Sequence, residues 1–339
     1  MAVRHLTRLG AAGILATIAL LIPVHAAAQA ESGSRDGWTT PKTSWGDPDL
    51  QGVWTTDWER SVPFERSREL GERSALTTEE IAVRAKTEER ALADDKETRR
   101  PSRSVGAAAE HWYEFGKQVS SRTSLVVDPP DGRIPPKTLG GQTRQIEPST
   151  RLGFVGGSFN DGPFDGPKDL HLADRCITRG LPQTWQPSAY NNGFQIVQSP
   201  GYVALLFERL HEHRIIPLDG RPPLNSGIGQ IFGDSRGHWD GDTLVVEVTN
   251  FSDETNYRGS GSTRHLIERY TRVDDGTVRV EVTIDDPATW TKPWTMVVNG
   301  KHDPDYWQIF EYACHEGNYG MRNILSAARN LEKAAEEGK

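Results

Sequence analysis

The chain has 339 residues, with 47 acidic against 39 basic side chains and a net charge of −8. Its lysines and arginines are scattered, which excludes the basic footprint of a nucleic-acid binder and disfavours a polyanionic partner. Ten tryptophans is a high count for this length, and indole rings serve either as large core pieces or as walls for flat ligands.

Residues 1–30 carry the three parts of a secretory signal: Arg4 and Arg8, an apolar stretch from Ala11 to Val24, and small residues at Ala26-Ala27-Ala28 or Ala28-Gln29-Ala30 suited to cleavage. The apolar stretch is short of the ~20 residues a membrane span needs, and no later segment reads as a spanning helix. The expectation is a periplasmic or secreted protein that starts near Gln29 or Glu31 and has no transmembrane anchor after signal cleavage. Residues 31–48 read as an extended lead-in and residues 49–339 as a single domain, with a helical and irregular insertion at about 65–187.

Leu50 to Trp54 alternates apolar and polar residues and reads as the first strand. The period then changes. Thr77 with Glu80 makes a capping box, Leu76 can staple against Ile81, and a charged helix should run to about Leu92, stopped by Arg99-Arg100-Pro101. Ala107 to Trp112 and Phe115 suggest a second helix within residues 106–118. Asp128-Pro129-Pro130-Asp131-Gly132 and Pro135-Pro136 fix a turn-rich path, and Gly153 to Pro167 suits either a lid or an irregular surface connection.

After Pro187, strands dominate. They read as Phe194–Gln198, Tyr202–Arg209, Arg214–Leu218, Thr243–Asn250, His265–Val273, Thr277–Ile284, Trp294–Asn299 and Tyr306–Tyr312, with Asp275-Gly276 as a hairpin turn. A final helix from about Met321 has Ile324, Leu325, Ala328 and Leu331 as its apolar stripe and should pack over one side or mouth. So many antiparallel strands leave two edges exposed unless the sheet closes. The fold expected is mainly β: a meander closed or curled into a lipocalin-like barrel whose cavity holds a small molecule.

The two cysteines, Cys176 and Cys314, reach an oxidising compartment if the leader acts, and a disulfide is the favoured reading. It would close a loop worth on the order of 4 to 5 kcal/mol by chain entropy. The sharper alternative is a catalytic thiol at Cys314 beside His315, although neighbours on a strand point to opposite faces.

Gly52-Val53-Trp54 followed by a meander resembles the Gly-x-Trp opening of lipocalin and calycin barrels. A more specific set is Asp47-Pro48-Asp49-Leu50-Gln51-Gly52-Val53-Trp54, Asp128-Pro129-Pro130-Asp131-Gly132-Arg133, Gly237-His238-Trp239-Asp240-Gly241-Asp242-Thr243-Leu244 and Glu311-Tyr312-Ala313-Cys314-His315-Glu316-Gly317-Asn318. Together these resemble a large group of exported bacterial proteins, over almost the whole mature chain. The resemblance implies a shared fold and export and carries no activity across. The helical insertion after the first strand departs from true lipocalins and argues against a simple carrier.

His211 and His213 would share a face of an extended chain and could begin a site for a divalent metal, completed by His171, His238 or His315; the alternative is a turn whose histidines face water. Asp234, His238, Asp240 and Asp242 crowd one segment, either as acid–base groups or simply as turn formers. Glu208, Arg214, Glu268, Arg269 and Glu311 lie on expected strands, where any that point inward must be paired.

Two functional readings follow. In the first, the chain is an exported enzyme of lyase, hydratase, isomerase or hydrolase type acting on a small molecule. His213 is then the base, His315 or His238 its partner and Arg214 the oxyanion stabiliser, with Trp239, Asp240, Glu208 and Trp54 contacting the ligand. The absence of a Gly-x-Ser-x-Gly elbow disfavours familiar serine hydrolysis. In the second, the same cavity belongs to a non-catalytic binding protein for a small hydrophobic or aromatic ligand.

Overall fold

The computed structural model describes residues 37–97, 114, 119–144 and 164–338. The expected signal segment, nearly all of the expected second helix and most of the Gly153–Pro167 segment lie outside these residues.

Ten strands form one antiparallel sheet. In chain order they are β1 (Gly52–Thr55), β2 (Val126–Asp128), β3 (Gly193–Ser199), β4 (Tyr202–Phe207), β5 (His213–Pro217), β6 (Asp234–Asp240), β7 (Thr243–Thr249), β8 (His265–Asp274), β9 (Thr277–Asp285) and β10 (Trp294–Lys301). The spatial order is β5-β4-β3-β1-β10-β9-β8-β7-β6, with β2 also pairing β10. The first strand is therefore the seam between a β3–β5 meander and a β6–β10 meander, with Trp54 opposite Phe194 on β3 and Thr55 opposite Lys301 on β10.

Alternation dictates which residues enter the core. On β9, Val278, Val280, Val282 and Ile284 are fully buried while Arg279, Glu281 and Thr283 are half-buried, and β8 repeats the pattern with Leu266, Glu268 and Tyr270 inside. The sheet curls until its two edge strands face each other. A side chain at Gly237 on β6 would collide with Leu218 and with Ile216 of β5, so glycine allows this approach. No strand ladder joins β5 to β6, so hydrogen-bonded closure into a barrel, one form of the expectation, is not observed.

Packed side chains occupy the inside of the curl. Trp185, from the 3-10 turn Gln183–Trp185, meets Phe194, Phe207 and Tyr270 edge-on at 4.8–5.7 Å. Trp294 packs against Trp290 and stacks on Tyr257. Each such ring contributes on the order of 2–3 kcal/mol by burial. Trp54, Trp185, Trp290 and Trp294 are core pieces, while Trp45 and Trp307 are exposed.

Helix α1 (Thr78–Glu97) follows β1, and its capping box is present: Thr77 N donates to Glu80 Oε2 at 2.8 Å and Glu80 N to Thr77 Oγ1 at 3.3 Å. A short α2 (Leu139–Thr143) precedes the second meander, and α3 (Tyr319–Glu336) ends the described chain, capped by Asn318. No residue of α3 is fully buried; Ile324, Leu325 and Ala328 of the expected stripe are half-buried and Leu331 is 72% exposed. The helix is also held by Arg329, which donates to the carbonyls of Phe164 and Asp165. Among the described residues, no helix is long and apolar enough to cross a membrane.

One strand expectation needs correction. Tyr306–Tyr312 is irregular, because Trp307 and Phe310 face solvent and the Phe310 amide is taken by the Glu208 carboxylate rather than by a ladder. Conversely, the polar segment Asp234–Asp240 forms β6 because β7 supplies its whole ladder.

Candidate functional site

A polar pocket lies where β1, β3 and β4 meet the insertion and the C-terminal segment. Beyond β1 the chain enters a 3-10 turn at Asp57–Glu59, which sets Asp57 within reach of Asn192. The loop before β3 delivers Tyr190, Asn191 and Asn192. Beyond β4, the turn from Glu208 to Glu212 holds two successive non-glycine residues in left-handed backbone, Leu210 at φ 60° and His211 at φ 44°. Such residues cost on the order of 1–2 kcal/mol each and persist where surrounding contacts impose them. The turn sends Glu208, Leu210 and Glu212 inward, with Arg209 half-buried between them.

Carboxyl groups stand behind the lining residue Asn192. Asp57 accepts from Asn192 Nδ2 at 2.7 Å and Thr55 Oγ1 at 2.6 Å. Glu114 accepts from the Asn192 backbone N–H at 3.3 Å and is tied by its own backbone to Ala189 and Arg60. Burial, reinforced by the negative charges of Asp57 and Glu208, pushes the Glu114 carboxyl up to about 8. Burial also raises Glu208, which accepts from the Tyr306 hydroxyl and, at 3.1 Å, from the Phe310 amide.

Two guanidinium groups line the pocket. Arg179 is only 9% exposed, and burial followed by repulsion from Arg209 lowers it to about 9. Its side chain donates to Gln186 O at 3.3 Å. Arg209 donates to Ser188 Oγ and lies 4.7 Å over the Tyr190 ring. Tyr312, beside Tyr190, is pushed up to about 12, chiefly by burial. Glu212 is raised by burial and accepts from the hydroxyls of Thr178 and Thr184 and the Arg179 amide, so it anchors the loop that carries Arg179.

Thr56, Arg179, Asn192, Phe194, Phe207 and Arg209 line a space of about 10 Å³. The segment 303–317 covers its outer side. The Tyr306 ring sits where a Cβ on Gly193 would be, so glycine lets the ring lie against β3. The Cys176–Cys314 disulfide, with Cα atoms 5.7 Å apart, pins the far end of the segment and leaves no free thiol at Cys314.

Of the residues singled out in the sequence, Glu208 belongs to this pocket. His211 lies at its rim, with Nδ1 3.3 Å from Tyr312 O and its ring 6.2 Å from that of His315; His211, His213 and His315 are all exposed. Among the described residues no three His, Cys, Asp or Glu side chains stand close enough to share a metal ion. Arg214 lies in the core, paired with Glu268 at 2.7 Å and bonded to Ser235 at 2.8 Å, while the hydroxyl of Tyr270 and the indole of Trp185 also donate to Glu268. His238 and Asp240 are exposed on β6, where Asp240 pairs with Arg269, and Trp239 packs against the core. Trp54 is buried, its indole donating to Leu50 O.

Sequence reasoning missed Asp57, Glu114, Arg179, Arg209, Tyr306 and Asn192 as site residues. The sole local signal was the position of Asp57 and Arg209 just past strand ends. Compared with protein-family models, curated proteins and solved structures, the chain matches none.

Proposed function

We propose that this pocket is the functional site of an exported enzyme acting on a small molecule by general acid–base chemistry, of lyase, hydratase, isomerase or hydrolase type. One observation carries the reading: Asp57 and Glu114 meet on Asn192 beside a space lined by Arg179 and Arg209, and burial, with the charges of Asp57 and Glu208, pushes the Glu114 carboxyl up to about 8. A carboxylic acid poised near the working pH is the donor that such reactions require, typically contributing about 10²- to 10⁴-fold. Glu114 is the acid, and Glu208, once released from Tyr306, is the base. The exposed histidines have at most a rim role.

Export is supported by the leader-like residues Arg4 to Ala30 and by the Cys176–Cys314 disulfide, which suits an oxidising compartment. We read the curl as a lipocalin-like architecture opened between β5 and β6, and place the chain with the exported bacterial group whose motifs it carries.

A binding protein is the second reading, favoured by the small space and the aromatic walls Phe194, Phe207 and Trp185. A thermal-shift screen of small organic molecules, followed by mass spectrometry of each stabilising compound, separates the two. The enzyme reading expects at least one compound to be converted by the native protein yet bound unchanged by Glu114→Gln. Recovery of every stabilising compound intact from the native protein would replace it with the binding reading.

A further inference from the structure

The two arginines of the pocket say what kind of molecule enters it. A guanidinium has five N–H donors and no acceptor, and a buried one is normally matched by a carboxylate or by several carbonyls. Arg179 is nine-tenths buried, yet its side chain makes one hydrogen bond, to Gln186 O, and no ion pair among the described residues. Arg209 donates to a serine hydroxyl and stacks on Tyr190, again with no ion pair among the described residues.

The charge of Glu212 acts on Arg179, but its oxygens are engaged by Thr178, Thr184 and the Arg179 backbone amide. Asp57 and Glu114 are turned toward Asn192, which donates to both. Of the other buried arginines, Arg214 has Glu268 and Arg122 has Glu59, while Arg66 and Arg264 lack a carboxylate but donate to two or more carbonyl or hydroxyl oxygens each. The under-matched pair is found where both side chains line a space of about 10 Å³, room for roughly one small atom or water.

Resting on the proposal that this pocket is the functional site, we propose that Arg179 and Arg209 receive the oxyanion head group of an acidic small molecule, a carboxylate or a phosphate. One anionic oxygen enters between the guanidiniums, and the rest of the molecule extends past Asn192 toward Glu114. The substrate class is thus a small organic acid or phosphate ester. The aromatic side chains Trp185, Phe194 and Phe207 supply the apolar floor beneath the head group.

Isothermal titration calorimetry of the mature protein with sodium acetate, sodium benzoate and sodium phosphate, at fixed ionic strength in chloride, tests this. Saturable binding of at least one anion is expected, weakened at least tenfold in Arg209→Gln, which is half-buried and should fold, and in Arg179→Met. Preference for acetate or benzoate assigns a carboxylate, and preference for phosphate a phosphoryl group. No saturable binding of any of the three, or equal binding by Arg209→Gln with its fold intact by circular dichroism, would overturn the proposal. Anion binding without turnover of any compound would sink the enzyme reading alone, and turnover of a neutral compound without anion binding would sink this one alone.

Discussion

Asn192 Nδ2 lies 2.7 Å from Asp57 Oδ1, while the backbone N–H of the same asparagine reaches Glu114 Oε2 at 3.3 Å. One residue at the entrance to β3 thereby holds two carboxyl groups that would otherwise repel. Its side-chain oxygen accepts from the backbone and hydroxyl of Ser188, which in turn receives Arg209. Asn192→Ala should cost about 2 kcal/mol, because it strands a partly buried carboxylate and frees the Ser188 loop. Urea denaturation measures this, and a change below about 0.5 kcal/mol would show the network to be dispensable.

The titration of Glu114 makes stability depend on pH with a definite sign. Its folded value, near 8, exceeds the ordinary value of 4.5, so the folded state holds a proton that the unfolded chain has lost. Its contribution is present in full below the unfolded value and is lost as pH rises toward 8. His171 works oppositely: burial, then Arg179, lowers it from 6.5 to about 4, so stability is lost as pH falls through that interval. Above pH 6.5 the Glu114 slope stands without that opposition. Melting temperature should fall between neutrality and pH 8, and Glu114→Gln should flatten that fall. An identical slope in the variant would contradict the assignment.

Tyr306 and Gly193 test the cover over the pocket. Gly193→Ala places a methyl group where the Tyr306 ring lies and must lift it off Glu208, whereas Tyr306→Phe keeps the ring and removes only its donor. Alanine should increase exposure of the pocket and speed exchange of the Phe310 amide. Phenylalanine should leave that exchange nearly unchanged and cost about 1–2 kcal/mol of stability. Equal exchange in the alanine variant would show that the segment is held elsewhere.

Arg214 is a core residue on this account. Arg214→Met leaves Glu268 charged in an apolar interior and should cost about 3–5 kcal/mol, while Arg214→Met with Glu268→Met should recover most of it. Anion binding per folded molecule should be unchanged in the double variant. Loss of anion binding in a folded double variant would return Arg214 to the site.

The disulfide joins the loop that carries Arg179 to the segment that carries Tyr312, across a separation of 138 residues. Chain entropy puts its worth at up to about 5 kcal/mol. Since α3 fully buries no residue, reduction should release the C-terminal segment before the sheet unfolds. Hydrogen exchange after mild reduction should show a rise of at least tenfold at the Phe310 amide while β8 and β9 stay protected. Unaltered protection at Phe310 would mean that Glu208 alone holds the segment.

What could be read from the chain was what local chemistry determines. Val278 to Ile284 announces a half-buried strand by its period, Thr77 with Glu80 announces a helix start, and the Cys176–Cys314 pairing followed from there being only two cysteines. The edge strand β6 was obscured because Asp-Ser-Arg-Gly-His-Trp-Asp lacks apolar alternation: Gly237 faces β5 where a side chain would clash. Tyr306 to Tyr312 misled in the other direction, since its aromatics are spent on covering the pocket and facing solvent. The site was largely illegible because its groups come from positions 57, 114, 179, 190–192, 208–209 and 306–312, joined only by the path of the fold. Glu208 stood out as a charge on an expected strand, but nothing local distinguished it from Glu268, which belongs to the core.

The central claim is that Glu114 is an acid that keeps its proton at neutral pH in a pocket shared with Asp57 and Glu208. Carbon-13 NMR of the side-chain carboxyls across pH 4 to 9, in the native protein and in Glu114→Gln, tests it directly. The account predicts one carboxyl resonance titrating near 8 that disappears in the variant. A native spectrum in which every carboxyl has titrated by about pH 6 would contradict it, because the pocket would then hold three carboxylates and no acid at neutral pH.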